Sequence, residues 1–366
     1  MKTLAAIAIL AVAVTFRGGA EEPLPQRESN YSLRNEAELS LGRGLKWLEN
    51  HQKPDGSWSD PALPGITGLA LTAFLREPAG KFRMEPRKAR ANQACEYLRS
   101  TATESGRFGG RESAVFNTAA SLSALIVNGD PLDAAVMARA IAYLTARQQP
   151  SGGFADEAKA EGTRPPVDLI TTETAIEALR IYQIAMADAA PANQQLDWEK
   201  AQGFVMRQQL LPGRRKPQFA GIDAGGFYSP AGDRAKFAGP LATSPLTYTG
   251  LLCYLYGGVP KDSPKAEAAL AWAQRNYTLE EGASASYYYF GLWQMAKGLA
   301  AAGARDLDVA DGRKVDWARQ LALKLLDLQQ PDGSWVNRAG ASRREDDPAL
   351  VTSYVCLALE IVYLRL

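Results

Sequence analysis

A seven-residue turn, Gln-x-x-x-Gly-x-Trp, stands near both ends of this chain and constrains its fold more than any other feature. The first copy is Gln52-Lys-Pro-Asp-Gly56-Ser-Trp58. The second is Gln330-Pro-Asp-Gly333-Ser-Trp335, one residue shorter between Gln and Gly if counted from Gln330 and equal if counted from Gln329. Looser echoes place an aromatic at a Gly-rich turn: Arg107-Phe108-Gly109-Gly110, Gln149-Pro150-Ser151-Gly152-Gly153-Phe154 and Ala224-Gly225-Gly226-Phe227. One supersecondary unit is being reused, and a chain of such units buries its core between neighbours.

Two kinds of helical segment alternate around these turns. One is amphipathic, with Leu41, Leu45 and Leu48, or Trp317, Leu321, Leu325 and Leu328, at helical spacing. The other is apolar on every side, as in the segments 68–75, 250–256 and 353–364. Helices of the second kind must be buried. Pairing the two kinds gives six hairpins, beginning near Arg34, Arg87, Leu132, Leu196, Ser263 and Lys314, with second helices near Gly65, Ser113, Asp168, Ser244, Ala285 and Asp347. The fold class this predicts is all-α: an α/α toroid of twelve helices in two concentric layers, spanning residues 34–366. An open superhelix would instead carry polar caps at its ends, whereas the first and last units here carry the fullest turns.

In the turn, Pro pre-sets its own φ and Gly accepts a positive one, which stops the outer helix sharply. The Trp can lie across the joint while the Gln bonds free backbone groups at helix ends. Gln52, Gly56, Trp58, Gln330, Gly333 and Trp335 are therefore expected to be structural.

Residues 1–20 read as an export signal: Lys2, an apolar run from Leu4 to Val14, and a small-residue stretch Gly18-Gly-Ala20 before Glu21. A polar leader, residues 21–33, follows. A periplasmic or secreted location is expected, with no integral membrane segment once the signal is removed. Lysine plus arginine (41) balance aspartate plus glutamate (40), so no nucleic-acid partner is expected. Cys95, Cys253 and Cys356 each fall in an apolar stretch and are expected as buried thiols, with one disulfide left open. His51 is the one histidine, and no His or Cys spacing suits a metal, so neither metal nor cofactor is expected.

The turns resemble the repeat of squalene and hopene cyclases and of the related protein prenyltransferase beta subunits. The runs Tyr287-Tyr-Tyr-Phe-Gly-Leu-Trp293 and Asp346-Asp-Pro-Ala-Leu-Val-Thr352 also look like repeats of a large exported bacterial branch of that superfamily. The resemblance covers nearly the whole mature chain and implies the toroid fold. Protonating cyclases of the family carry Asp-x-Asp-Asp-Thr-Ala at an inner-helix start. The comparable stretch here is Ile170-Thr-Thr-Glu173-Thr174-Ala175, with one acid where the family has three. Glu177 lies one turn on and would share a proton with Glu173 in an acid dyad, although Arg180, three residues further, is the partner expected for it. A second acidic run, Asp306-Leu-Asp308-Val-Ala-Asp311, has the wrong spacing and is expected in a loop. The zinc ligands of the prenyltransferases are absent, and the basic stretch Arg214-Arg-Lys216 with Arg234 and Lys236 is read as a solvated loop.

The inner-helix starts offer a polar rim over an apolar wall: Thr67, Asn117, Thr172, Tyr248, Tyr287, Tyr288, Tyr289, Asp346, Asp347, Thr352 and Tyr354, with Trp293 one turn deeper. The main expectation is an exported binding or structural module that takes an apolar or isoprenoid ligand, a glycan or a protein. Its alternatives are a terpene or isoprenoid cyclase with a reduced acid site at Glu173 and Glu177, or a carbohydrate-active toroid whose acids, among Glu112, Glu173, Asp346 and Asp347, face each other across a cleft.

Overall fold

Twelve α-helices form among the described residues, and each apolar one finds its burial between two others. A computed structural model describes residues 30–81, 84–158, 165–186, 196–211, 224–228, 242–280 and 286–366. The export signal, most of the leader, and Arg214, Arg215, Lys216, Arg234 and Lys236 lie outside the described residues. The outer helices are α1 (Tyr31–His51), α3 (Arg87–Thr101), α5 (Ala134–Ala146), α7 (Trp198–Arg207), α9 (Pro264–Arg275) and α11 (Trp317–Asp327). The inner helices are α2 (Pro64–Arg76), α4 (Ala114–Asn128), α6 (Leu169–Ala185), α8 (Ser244–Tyr256), α10 (Tyr288–Ala301) and α12 (Pro348–Tyr363). Helix α1 starts inside the stretch expected as leader. An antiparallel hairpin, β1 (Asp306–Asp308) with β2 (Lys314–Asp316), holds part of the acidic run expected in a loop.

Each inner helix packs on the next, and α12 packs back on α2, so the inner ring is closed. Successive inner helices run in the same direction: Gly65 and Gly68 of α2 sit against Phe116 and Ala120 of α4 in matching order. A Cβ on Gly68 would lie 2.6 Å from the Ala120 carbonyl oxygen, so glycine sets how closely these two helices approach.

The turns hold the hairpins together with one repeated set of bonds. The amides of Trp58, Phe108, Phe154, Phe227 and Trp335 donate to the hydroxyls of Thr67, Thr118, Thr172, Thr247 and Thr352, on the inner helix that follows each turn. Four glutamines add a second tie, and each side-chain amide reaches two carbonyls. Gln52 donates to Gly56 and Arg90, Gln148 to Gly152 and Asp197, Gln209 to Gly225 and Lys265, and Gln329 to Gly333 and Ser40. The first carbonyl is the turn's own; the second belongs to the next outer helix or its N-cap. The turn glycine must take a positive φ, 88° at Gly56, and lies where a Cβ would be 2.3 Å from the Gln93 carbonyl oxygen.

Ring closure rests on Gln329, not Gln330. The Gln329 carbonyl oxygen accepts from Ser40 Oγ (2.9 Å) and from Arg43, while Gln330 is exposed and reaches only its local Leu328 carbonyl. The register counted from Gln330 is thus corrected by one residue. Trp47 Nε1 donates to Asp332 (3.1 Å), and Ser59 bonds Asp347, so the first and last units meet at several points. Trp58 and Trp335 are fully buried, and each donates its indole N–H to the carbonyl of Leu48 or Leu325, 2.8 Å away. All three cysteines are buried and unpaired. Among the described residues no helix is long and apolar enough to cross a membrane.

At about 1 kcal/mol per hydrogen bond, replacing Gln329 by Ala is expected to cost about 2–3 kcal/mol in urea unfolding, whereas Gln330→Ala changes stability by less than about 0.5 kcal/mol. Equal losses would show that the closing bond lies elsewhere.

Candidate functional site

Closing six helices into a ring leaves a lumen along the axis, because side chains from one turn of each helix do not fill the middle. It encloses about 170 Å³ and is walled by α2, α4, α6, α10 and α12. Towards the helix starts its wall is mainly aromatic and aliphatic, with Phe116, Ile170, Tyr287, Phe290, Trp293 and Tyr354, and two charged residues join it there: Glu345, and Arg343 lying over the Tyr287 ring, 4.4 Å from its centroid. The Trp293 and Tyr354 rings are stacked with centroids 5.0 Å apart. Towards the helix ends the wall turns polar, with Thr72, Ser123, Glu177, Lys297 and Arg76 beside Val127, Ile181 and Leu357.

A buried charge cluster divides the two parts. Lys297 Nζ on α10 lies 2.9 Å from Glu173 Oε1 and 2.7 Å from Glu177 Oε2, both on α6, and 4.2 Å from the centroid of the Trp293 ring. Gln294 Nε2 donates to Glu173 Oε2 and to Thr249 Oγ1, each at 3.1 Å. The Tyr256 hydroxyl donates to Glu177 Oε1 at 3.0 Å. The expected Glu177–Arg180 pair does not form. Arg180 donates instead to the Tyr256 carbonyl and stacks on Trp198, because α6 turns the two side chains to different neighbours.

Two carboxylates and one ammonium carry a net charge of −1, which a dry site does not tolerate well. Burial pushes the Glu173 pKa up to about 7 against the pull of Lys297, and the Glu177 charge adds to the rise. Burial also works against the charge on Lys297, but the two carboxylates outweigh it and hold that pKa above the ordinary lysine value. The cluster is therefore neutral when Glu173 holds a proton and carries −1 when it does not.

The residues expected on the rim divide into several groups. Glu173, Glu177, Tyr287, Trp293 and Tyr354 line the lumen. Thr67, Thr172 and Thr352 do not, since their hydroxyls are taken by the turn amides. Asn117 brackets two helices, accepting from Gly65 N and donating to the carbonyls of Ala62 and Glu112. Tyr248, Tyr288 and Tyr289 are buried between helices, the hydroxyl of Tyr288 bonding the Leu279 carbonyl. Asp347 is the N-cap of α12, Asp346 and Glu112 are exposed, and none of the three lines the lumen with Glu173. His51 stacks on Trp47, away from the lumen.

Of the charged lumen residues, Arg76, Lys297, Arg343 and Glu345 were not anticipated. Lys297 is a single lysine in an otherwise apolar helix, and that isolation was the available signal. Glu345, 1% exposed, accepts from the amides of Phe290 (2.7 Å) and Tyr289 (3.3 Å) and from Asn337 Nδ2 (2.8 Å), capping α10 from the loop before α12. Nothing in Glu345-Asp346-Asp347 marks which of the three acids turns inward. Among the described residues no three His, Cys, Asp or Glu side chains gather to hold a metal ion.

Removing the ammonium leaves two buried carboxylates unpaired, so Lys297→Met is expected to cost about 3–5 kcal/mol, with part recovered by adding Glu173→Gln. Additive losses in a double-mutant cycle would deny the coupling. A carboxyl whose pKa is raised on folding stabilises the fold below its unfolded value and loses that contribution as pH rises through the folded one. Glu173→Gln is therefore expected to gain stability relative to the native chain between about pH 4.5 and 7 and to level off above. A pH-independent difference would exclude this protonation.

Comparison with known proteins agrees with this architecture. No family model matches the chain. Drimenyl diphosphate synthase of Streptomyces showdoensis is 30% identical over 136 residues, which is 34% of this chain and 25% of that protein, so the match spans about a quarter of its length. The type II terpene cyclase MstE of Scytonema, solved with its product merosterolic acid A, superposes with a TM-score of 0.57 at 16% identity, over 92% of this chain and 99% of that one. Its complex with the substrate geranylgeranyl dihydroxybenzoate gives a TM-score of 0.56 at 16% identity, over the same shares of the two chains. At that identity the likeness establishes the fold, and this chain is an α/α toroid of the terpenoid cyclase type.

Proposed function

We propose that the lumen takes an apolar isoprenoid and that Glu173 delivers the proton of an acid-started cyclisation or double-bond shift. The observation that carries this reading is the wholly buried Glu173 carboxyl, able to hold a proton near neutral pH, between an aromatic wall and a lysine in a fold that binds geranylgeranyl dihydroxybenzoate in MstE. In the first step the Glu173 O–H bond breaks and an alkene π pair forms a C–H bond, leaving a carbocation on the neighbouring carbon. The cluster passes from neutral to −1 as the substrate becomes +1, an attraction that strengthens in a low-dielectric site. The rings of Phe116, Phe290 and Tyr354 offer faces to the cation. Loss of a proton from an adjacent carbon to the Glu173 carboxylate closes the cycle without redox change.

A second reading is binding without chemistry. The observation that favours it is the Lys297 ammonium 2.9 Å from Glu173, which pulls against protonation of that carboxyl. Export, inferred from residues 1–20, belongs to either reading.

Incubation in D₂O with geranylgeranyl dihydroxybenzoate, farnesol and squalene separates them. The expected product is an isomer of one of these carrying a single deuterium, formed about 100-fold more slowly by Glu173→Gln. Bound but unchanged isoprenoid would leave the second reading standing, and an isomer formed equally by the variant would remove Glu173 as the proton donor.

A further inference from the structure

We propose that Arg76, at the helix-end side of the lumen, binds an anionic head group, a carboxylate or a phosphate, on the isoprenoid that fills it. This rests on the lumen taking an isoprenoid. Arg76 is the last residue of α2, its side chain is 9% exposed, and it lines the lumen beside Val127 and Ile181.

A cation this deep needs an anion, and the protein supplies a poor one. Among the described residues its ion-pair partner is Glu360 on α12, with Arg76 Nε 3.6 Å from Glu360 Oε2, beyond hydrogen-bond reach. Neither carboxyl oxygen of Glu360 accepts a hydrogen bond, although that side chain is only 2% exposed. Burial pushes the Glu360 pKa up to about 8 against the pull of Arg76, which weakens it as a countercharge. The other acids nearby are already engaged: Glu77 with Arg87 at 2.8 Å, and Glu173 and Glu177 with Lys297.

The guanidinium fork is matched to the paired oxygens of a carboxylate or a phosphate. An isoprenoid tail against Phe116, Phe290 and Trp293 places its head towards Arg76, while Arg343, at the other end of the lumen, lies over the Tyr287 ring, 4.4 Å from its centroid.

Calorimetric titration of the full chain with farnesol, farnesoic acid and farnesyl monophosphate tests this at the level of binding. At least one anion is expected to bind tenfold or more tightly than farnesol, and the tighter of the two identifies the head group. Arg76→Gln should bring the anions to the farnesol level with farnesol unchanged, and Arg76→Lys should keep part of the preference. Farnesol binding as tightly as both anions, or an anion preference that survives Arg76→Gln, overturns the assignment while leaving the lumen reading intact. Failure of all three ligands to bind the native chain overturns both. If Arg76→Gln does not fold, Arg76→Lys is the comparison, and an anion preference undiminished in Arg76→Lys overturns the assignment.

Discussion

The structure depends on one constraint: six largely apolar helices must each be buried on two sides by another like them. A row of such helices leaves two faces open, and a ring leaves none. Closure is therefore the low-energy arrangement, and the turns serve to hold it in register. Each turn ties its aromatic amide to a threonine of the inner helix. In four of them a glutamine also reaches the next outer helix or its cap, which couples radial packing to circumferential order. The Gln329 tie to Ser40 is the same bond used elsewhere, now made across 289 positions of sequence.

A ring closed this way has an axis that side chains do not fill, and what faces it follows from helix phase. The residues towards the helix starts supply rings. One turn deeper, α6 and α10 supply Glu173, Glu177 and Lys297. These charges satisfy one another, which lets them occupy an otherwise apolar interior, and the excess of one carboxylate over the single ammonium leaves room for a proton. Arg76 and Glu360 lie deeper and are matched less well, so the rings are gathered at one end of the lumen and a loosely paired arginine at the other.

The repeat, the two helix classes and the ring were legible in the chain because they rest on short-range spacing. The helix starts fall within a few residues of where periodicity and turn residues place them. The site was less legible because its partners are far apart in sequence. Glu177 was expected to pair with Arg180, the nearest basic residue on its own helix, yet it meets Lys297, 120 residues away. The polar residues at the inner-helix starts were read as a rim, but the threonines are consumed by the turn amides and Asn117 by two helix joints. Glu345 was passed over for its neighbours Asp346 and Asp347, since three consecutive acids look alike until a loop conformation points one inward.

The sequence by itself determined the helices, the turns and the need for closure, because hydrophobic periodicity and the φ demands of Pro and Gly act within a few residues. It also contained the departure from the three-acid cluster of the cyclases. Only the tertiary structure decided which of two adjacent glutamines closes the ring and which acids share a lysine. It alone placed a poorly matched arginine at the end of the lumen. Those outcomes depend on the rotation of each helix about its own axis, set by packing among all six, and a rotation of one residue, about 100°, separates a lumen residue from a buried joint.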